Sequence, residues 1–301
     1  MIEVIDAIDR QVVLARPAQR IVSLVPSETL SVAELVGVER IVGRTDFCLA
    51  PEGQIQGVAS VGGTKGFDVE AVKRLHPDLI LANKEENSRP LVEAMIADGL
   101  PVHVSFPCTV EQSNAYLVSL CTLLGVDPES AAPLLACRRA VEDAMRTRRA
   151  HLLPVFVPIW RNPWMTFDAG AYASDVLELC GAVNVFAERA RRYPLAADLG
   201  KRDAWSADRV EGRDTRYPRI RLEEVVERGA RAALLPDEPY RFTEEHLALV
   251  EELDAKELVV AKLVDGRDLF WYGTQLARAV PRLSAQVSEA ASVTLGTAAH
   301  K

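Results

Sequence analysis

The chain has 301 residues, 43 acidic against 35 basic side chains, and a net charge of −8. Hydrophobic residues make up 49% and charged ones 26%, which argues against disorder, and no apolar run approaches the roughly 18–20 residues of a membrane span. The acidic balance gives no support to a nucleic-acid partner, and the length favours two domains, each with its own core.

Residues 2–14 alternate apolar and polar side chains and predict a short hairpin or edge-strand pair ending at Arg16-Pro17. RIVSLVP (20–26) reads as an apolar strand stopped by Pro26, with Ser27 as N-cap of a helix running to Gly37. A short strand is expected at 41–43. The glycine-rich stretch 44–66 reads as a long functional surface loop. Asp68 caps a helix to His76 that Pro77 ends; 79–82 is a buried strand, 91–98 a helix closed by Gly99, and 101–106 the next strand. Strands alternating with short helices indicate parallel βαβ units. One helix is expected over Val110–Leu124, ended by Gly125. A longer one from Pro128 through about Arg149, with Pro133 about one turn inside, would span about 30 Å and act as a stiff spine. Residues 152–159 restart the strand pattern, and 196–216, polar and charged without a period, read as an inserted loop.

Two halves of the chain echo each other. VAELVG (32–37) recurs as VLELCG (176–181), sharing V-x-E-L-x-G at a distance of 144 residues. FDVEAVKRLHPDLILA from Phe67 also aligns with IRLEEVVERGARAALLP from Ile220, which pairs Glu70 with Glu223, Val72 with Val225 and Leu81 with Leu234. Two related blocks imply two similar α/β lobes rather than a solenoid, and facing lobes make a cleft for a small ligand. The amino terminus has early acids and no secretory pattern, and the five cysteines are odd in number with no C-x-x-C pair. Both features are expected of a cytoplasmic protein, unless an export signal was removed.

RIVSLVPSETL (20–30), GGTKGFDVEAVKRLHPDLILA (62–82), NPWMTFDAGAYASDVLELCGAVNVF (162–186) and RYPRIRLEEVVERGARAALL (216–235) follow one another in a recognisable order. Together they resemble the helical-backbone (class III) substrate-binding proteins of ABC importers, which bind cobalamin, ferric siderophores and haem. In the last segment glycine and alanine replace the usual proline. The resemblance runs from about residue 17 to about 290. It implies an α/β fold: two three-layer βα lobes joined by a single long backbone helix, with the ligand cleft between the lobes. The lobes would be 1–126 and 151–301, with the linking helix at 127–150. It further implies a monomeric receptor for a metal chelate or corrinoid, with no covalent cofactor and no reaction. Glu70 and Glu223 match the glutamates that dock on the permease dimer, although each is also a carboxylate favoured in a first helical turn.

The expected pocket loops are 27–29, 44–48, 64–65, 83–87, 160–165, Tyr217 and 237–241, with Glu28 on the first of them. By the resemblance, Phe47 and Tyr217 keep the aromatic rings of cobalamin binders, whereas Thr64 and Asn83 stand where tryptophans would be. Trp160 and Trp164, separated by Arg-Asn-Pro, are expected to supply replacement flat faces on a loop. Arg44, Lys65, Lys84, Arg161 and Arg278 would attract an anionic chelate. His76, His103 and His246 show no metal-ligand spacing, so a whole chelate fits better than a bare ion. No hydrolase elbow, phosphate loop or zincin motif is present. Two alternatives remain: a cytoplasmic carrier or sensor of the same ligands, and a tetrapyrrole chelatase drawing on Glu28, Asp46 and Glu85 but lacking a partner histidine.

Overall fold

The computed structural model describes residues 1–147, 151–251 and 260–298. The chain forms two compact units, Met1–Arg139 with Trp271–Ala277, and Ala140–Phe270 with Arg278–Lys301.

The first unit opens with the expected hairpin, β1 (Ile2–Ile5) antiparallel to β2 (Gln11–Leu14) with Ile2 opposite Leu14. Its main sheet contains β3 (Ile21–Ser23), β4 (Ile41–Arg44), β5 (Leu79–Asn83) and β6 (Val102–Ser105), all parallel in the order β4-β3-β5-β6. β5 is buried at all five positions, so it reads as a continuous apolar run rather than an alternation. The helices are α1 (Pro26–Val36), α2 (Val69–Arg74), α3 (Arg89–Ala97) and α4 (Val110–Leu124). Asp68 caps α2 as expected, accepting from the amides of Glu70 and Ala71, and Thr109 caps α4 through the amide of Gln112. Ser27 is not a cap. Pro26 opens α1 at its first position, where its missing N–H is no loss, and the Ser27 hydroxyl is buried without a partner.

α5 (Ala132–Thr147) carries the chain from the first unit into the second. It starts four residues later than expected, because Asp127 accepts from the amide of Glu129 and the hydroxyl of Ser130 and holds 127–130 as a turn. Pro133 therefore lies in the first turn rather than inside the helix. The expected end of the spine, 148–150, lies outside the described residues. The second unit adds β7 (Leu153–Phe156), α6 (Tyr172–Leu179), β8 (Ala182–Asn184), α7 (Leu195–Asp198), α8 (Ala207–Val210), α9 (Glu223–Glu227), β9 (Ala232–Pro236), α10 (Glu244–Glu251), β10 (Val260–Val264), α11 (Gly266–Phe270) and α12 (Leu276–Ala298). Its strands are parallel in the order β10-β9-β7-β8.

The two sheets have one topology. The first strand of each lies between the second and the third, so β3, β4, β5 and β6 correspond to β7, β8, β9 and β10. The sequence echoes fall on equivalent elements: 32–37 ends α1 ahead of β4, and 176–181 ends α6 ahead of β8. Phe67, Val72 and Leu81 are buried, and so are their counterparts Ile220, Val225 and Leu234. In the first unit Phe67 and Val72 pack with Val22, Ile80 and Val104; in the second Ile220 and Val225 pack with Phe156, Ala233 and Leu235. The 196–216 segment, expected as an irregular loop, contains α8 and the end of α7.

Candidate ligand-binding site

In an open parallel sheet the connections leave in opposite directions where the strand order reverses, opening a crevice at the carboxyl ends of the two strands. That point lies between β3 and β5 in the first unit and between β7 and β9 in the second.

In the first unit the crevice is filled from within. Glu28, just after β3, is fully buried and accepts hydrogen bonds from the Ser105 hydroxyl at the end of β6 and from the Tyr272 hydroxyl at 2.7 Å. Asn83, at the end of β5, donates to Tyr272 at 3.0 Å and to Ser105 at 3.2 Å. Burial pushes the Glu28 carboxyl up to about 8, against the pull of its hydrogen bonds to Ser105 and Tyr272. Its second oxygen and the Tyr116 hydroxyl are buried without a well-formed hydrogen bond, yet they interact. The Tyr116 hydroxyl is the donor in that contact, since it pulls the Glu28 carboxyl down. Glu28 and Asn83 therefore hold this unit together instead of facing a ligand.

The ligand-facing candidates of this unit lie on the next loops outward. Phe47 is 61% exposed and Leu49 58%, although large apolar side chains are usually covered. The Phe47 ring lies beside Gly63. Asn87, itself buried, accepts from the Asn83 amide at 2.7 Å and donates to the carbonyls of Leu24 at 3.1 Å and Thr64 at 3.0 Å. One side chain thus ties the loop after β5 to the end of β3 and to the loop after β4. Lys65 reaches the carbonyl of Glu85, and Lys84 is exposed with its ammonium 5.2 Å from the Phe106 ring. Arg44 is spent locally, donating to the carbonyls of Thr45 at 2.9 Å and Ile55 at 3.2 Å.

The second unit presents an aromatic plate at its crevice. Trp160 follows β7 and Tyr240 follows β9, and their rings meet edge-on at 5.3 Å. Tyr240 contacts Phe242 at 4.8 Å, and Phe242 stacks on Trp164 at 5.8 Å with planes 6° apart. Trp160 remains 46% exposed, whereas Trp164 packs against the core with Phe156 and Phe242. The expectation of two exposed tryptophan faces holds for Trp160, and Trp164 instead supports the plate from below. A hollow of about 460 Å³ adjoins it, lined by Asp237, Arg241, Phe242, Thr243 and Asp265 among others. Arg161 is half-buried, Arg278 exposed, and Tyr217 half-buried under the Arg216 guanidinium at 5.2 Å.

Glu70 and Glu223 are both exposed in the first turns of their helices, and Glu70 pairs with Lys73 at 2.7 Å. Sequence reasoning missed Tyr240, Phe242 and Asn87 as side chains. The turn-rich PDEPY after β9 did mark the Tyr240 loop. Among the described residues, no group of three or more His, Cys, Asp or Glu side chains is placed to hold a metal ion.

No family model matches the chain. Its fold is that of the two-lobed class III periplasmic binding proteins, the class its motifs resemble. The periplasmic haem-binding protein RhuT from Roseiflexus sp. RS-1 superposes with a TM-score of 0.70 at 15% identity over 91% of this chain and 99% of its own. The periplasmic vitamin B12-binding protein BtuF of Vibrio cholerae gives 0.66 at 18% identity, covering 91% and 98%. In sequence, the vitamin B12-binding protein of Yersinia pestis (strain Pestoides F) is 30% identical over 183 residues, which is 60% of this chain and 64% of the relative. The chain thus matches just under two thirds of the length of that relative. The cytoplasmic location expected from the amino terminus and thiols is overturned: RhuT and BtuF are periplasmic proteins, and the comparisons point to the periplasm.

Proposed function

We propose that the protein is a solute-binding receptor for a metal chelate or corrinoid of the cobalamin, ferric-siderophore or haem class, serving an ABC importer. The observation that carries this reading is the Trp160–Tyr240 plate, an exposed aromatic surface at the carboxyl ends of β7 and β9, where a sheet of this kind receives ligands. An exposed indole edge-packed on a half-buried tyrosine that the buried Phe242 backs is rigid, and a flat macrocycle or aromatic chelate gains contact area on it at low entropic cost. Phe47 of the first unit is a second exposed ring at the equivalent edge of its own sheet, with Lys65 and Lys84 on neighbouring loops. These two ammonium groups favour an anionic chelate over an uncharged one. The vitamin B12 and haem binders among similar proteins support binding without turnover over a chelatase.

Glu70 and Glu223 supply the permease contact in this reading. They occupy equivalent first-turn positions on α2 and α9, each ahead of the third strand of its sheet. Trp160→Ala tests the ligand surface. It should weaken chelate binding by roughly 10–100-fold, the scale of one buried aromatic anchor, and leave the melting temperature nearly unchanged. Unaltered affinity for a ligand that the parent binds would remove the plate from the site.

A further inference from the structure

Within an acidic chain, residues 188–221 are basic, with ten Arg or Lys side chains against six Asp or Glu. Arginine–aromatic contacts brace this segment. Tyr193 and Trp205 stack with centroids 6.2 Å apart, and the Trp205 amide donates to the Tyr193 carbonyl at 2.7 Å. The guanidinium of Arg191 lies 4.4 Å from the Tyr193 ring and that of Arg209 4.2 Å from Trp205, with Arg213 close to both rings.

The nearby carboxylates are already occupied. Asp198 accepts from the Arg189 guanidinium at 3.0 Å, the Arg192 amide at 2.9 Å and the Arg219 amide at 2.7 Å. Both oxygens of Asp214 are held by Arg216 at 3.0 and 2.7 Å, and Glu224 serves Arg189 and Arg221. The guanidinium groups of Arg191 and Arg219 feel Asp214 and Asp198 through their charges alone: Nε of Arg191 and Nη1 of Arg219 are shielded from solvent, and neither atom has a hydrogen-bond acceptor. Burial, and then the charge of Arg191, hold Arg219 below the usual guanidinium value, so the two cations act on one another. Neighbouring shielded cations with open N–H groups are unfavourable until an acceptor reaches them.

We propose that Arg191 and Arg219 form an oxyanion site in the second unit, taking carboxylate or phosphate oxygens on Arg191 Nε–H and Arg219 Nη1–H. An anion with several oxygens can accept from both guanidinium groups and neutralise their repulsion. The exposed Arg209 and Arg213 raise the local anion concentration around it. The site uses one unit only, and it stands whether or not the protein carries a metal chelate.

Thermal melting of the full chain in potassium phosphate, against potassium chloride at equal ionic strength and pH 7, tests the site. The expected result is a saturable rise in Tm, about 5 °C at a hundredfold excess over Kd. Arg191→Gln and Arg219→Gln should lose the rise, and Arg202→Gln, at an exposed arginine of the same segment, should keep it. In chloride alone Arg219→Gln should melt no lower than the parent, because a shielded guanidinium N–H without an acceptor is gone. No saturable rise in the parent, or an equal rise in both variants, would overturn the site. If the variants do not fold, calorimetric titration of the parent with phosphate decides: a saturable heat supports the site and its absence refutes it. Haem, a dicarboxylate, separates the two sources of the anion. Competition with phosphate assigns the site to an arm of a larger solute, and independence assigns it to a free anion.

Discussion

Gly37 and Gly181 both take a positive φ, 88° and 89°, each at the end of the helix that follows the first strand of its sheet. They are the last letters of the V-x-E-L-x-G echo, so the repeated motif is a helix-ending device used twice. The equal strand order of the two sheets and the shared core positions then follow as the remains of one duplicated βα plan.

Replacing either glycine with alanine forces an L-residue to a positive φ, at a cost of about 1–3 kcal/mol. Gly181→Ala has open space, with its nearest neighbour Val287 at 3.9 Å, so backbone strain alone should set its cost. Gly37→Ala must also displace the Glu39 side chain, a flexible group. Urea denaturation should therefore show a loss at both and a larger one at Gly37, whose ψ of 159° is rarely open to any other residue. A loss at Gly181 below a few tenths of a kcal/mol would contradict the strain argument.

Glu28 makes stability depend on pH in an unusual direction. Its folded carboxyl is raised to about 8 from an ordinary 4.5, so the folded state holds a proton that the unfolded state releases between those values. Its contribution is fully present below pH 4.5 and declines as pH rises towards 8, by on the order of 4 kcal/mol. Glu28→Gln, which cannot ionise, should flatten that slope and exceed the parent in stability at pH 8–9. Parallel stability–pH curves for parent and variant would show that Glu28 is ionised in the fold.

Asn87 should act on the binding loops from a distance. Asn87→Ala leaves the Asn83 amide and the Leu24 carbonyl unpaired and frees Thr64 from the end of β5. A loss of about 2–4 kcal/mol is expected, with faster proteolysis within 45–66. Unchanged cleavage there would show that the loop is held by other contacts.

Much of this was legible in the sequence because it is local. Thr109 and Gly125 bracket α4 at the expected bounds, Asp68 caps α2, and the apolar run at 79–82 could only be a covered parallel strand. What stayed hidden depends on distant partners. Glu28 looks like a loop carboxylate until Ser105 and Tyr272, 77 and 244 residues away, close over it. Trp164 reads as a loop side chain, yet Phe242 stacks on it from beyond β9. Asn87 carries no signal of its own, since its three partners belong to three separate segments.

If Glu70 and Glu223 are the permease contacts, Glu70→Ala with Glu223→Ala should abolish permease-stimulated uptake and leave chelate affinity unchanged. Both side chains are exposed, so the double variant should lose no more than about 1–2 kcal/mol of helix-terminus stability. Full uptake by the double variant would remove them from that role.

The central claim is that this chain binds a metal chelate or corrinoid. Spectroscopic titration of the purified protein with cobalamin, haem and a panel of ferric siderophores tests it most directly. Saturable binding of at least one of them is expected with a Kd well below roughly 100 μM, and more tightly for an anionic chelate than for cobalamin, given Lys65 and Lys84. If none binds below roughly 100 μM, which is weaker than about 5.5 kcal/mol, the receptor reading is wrong.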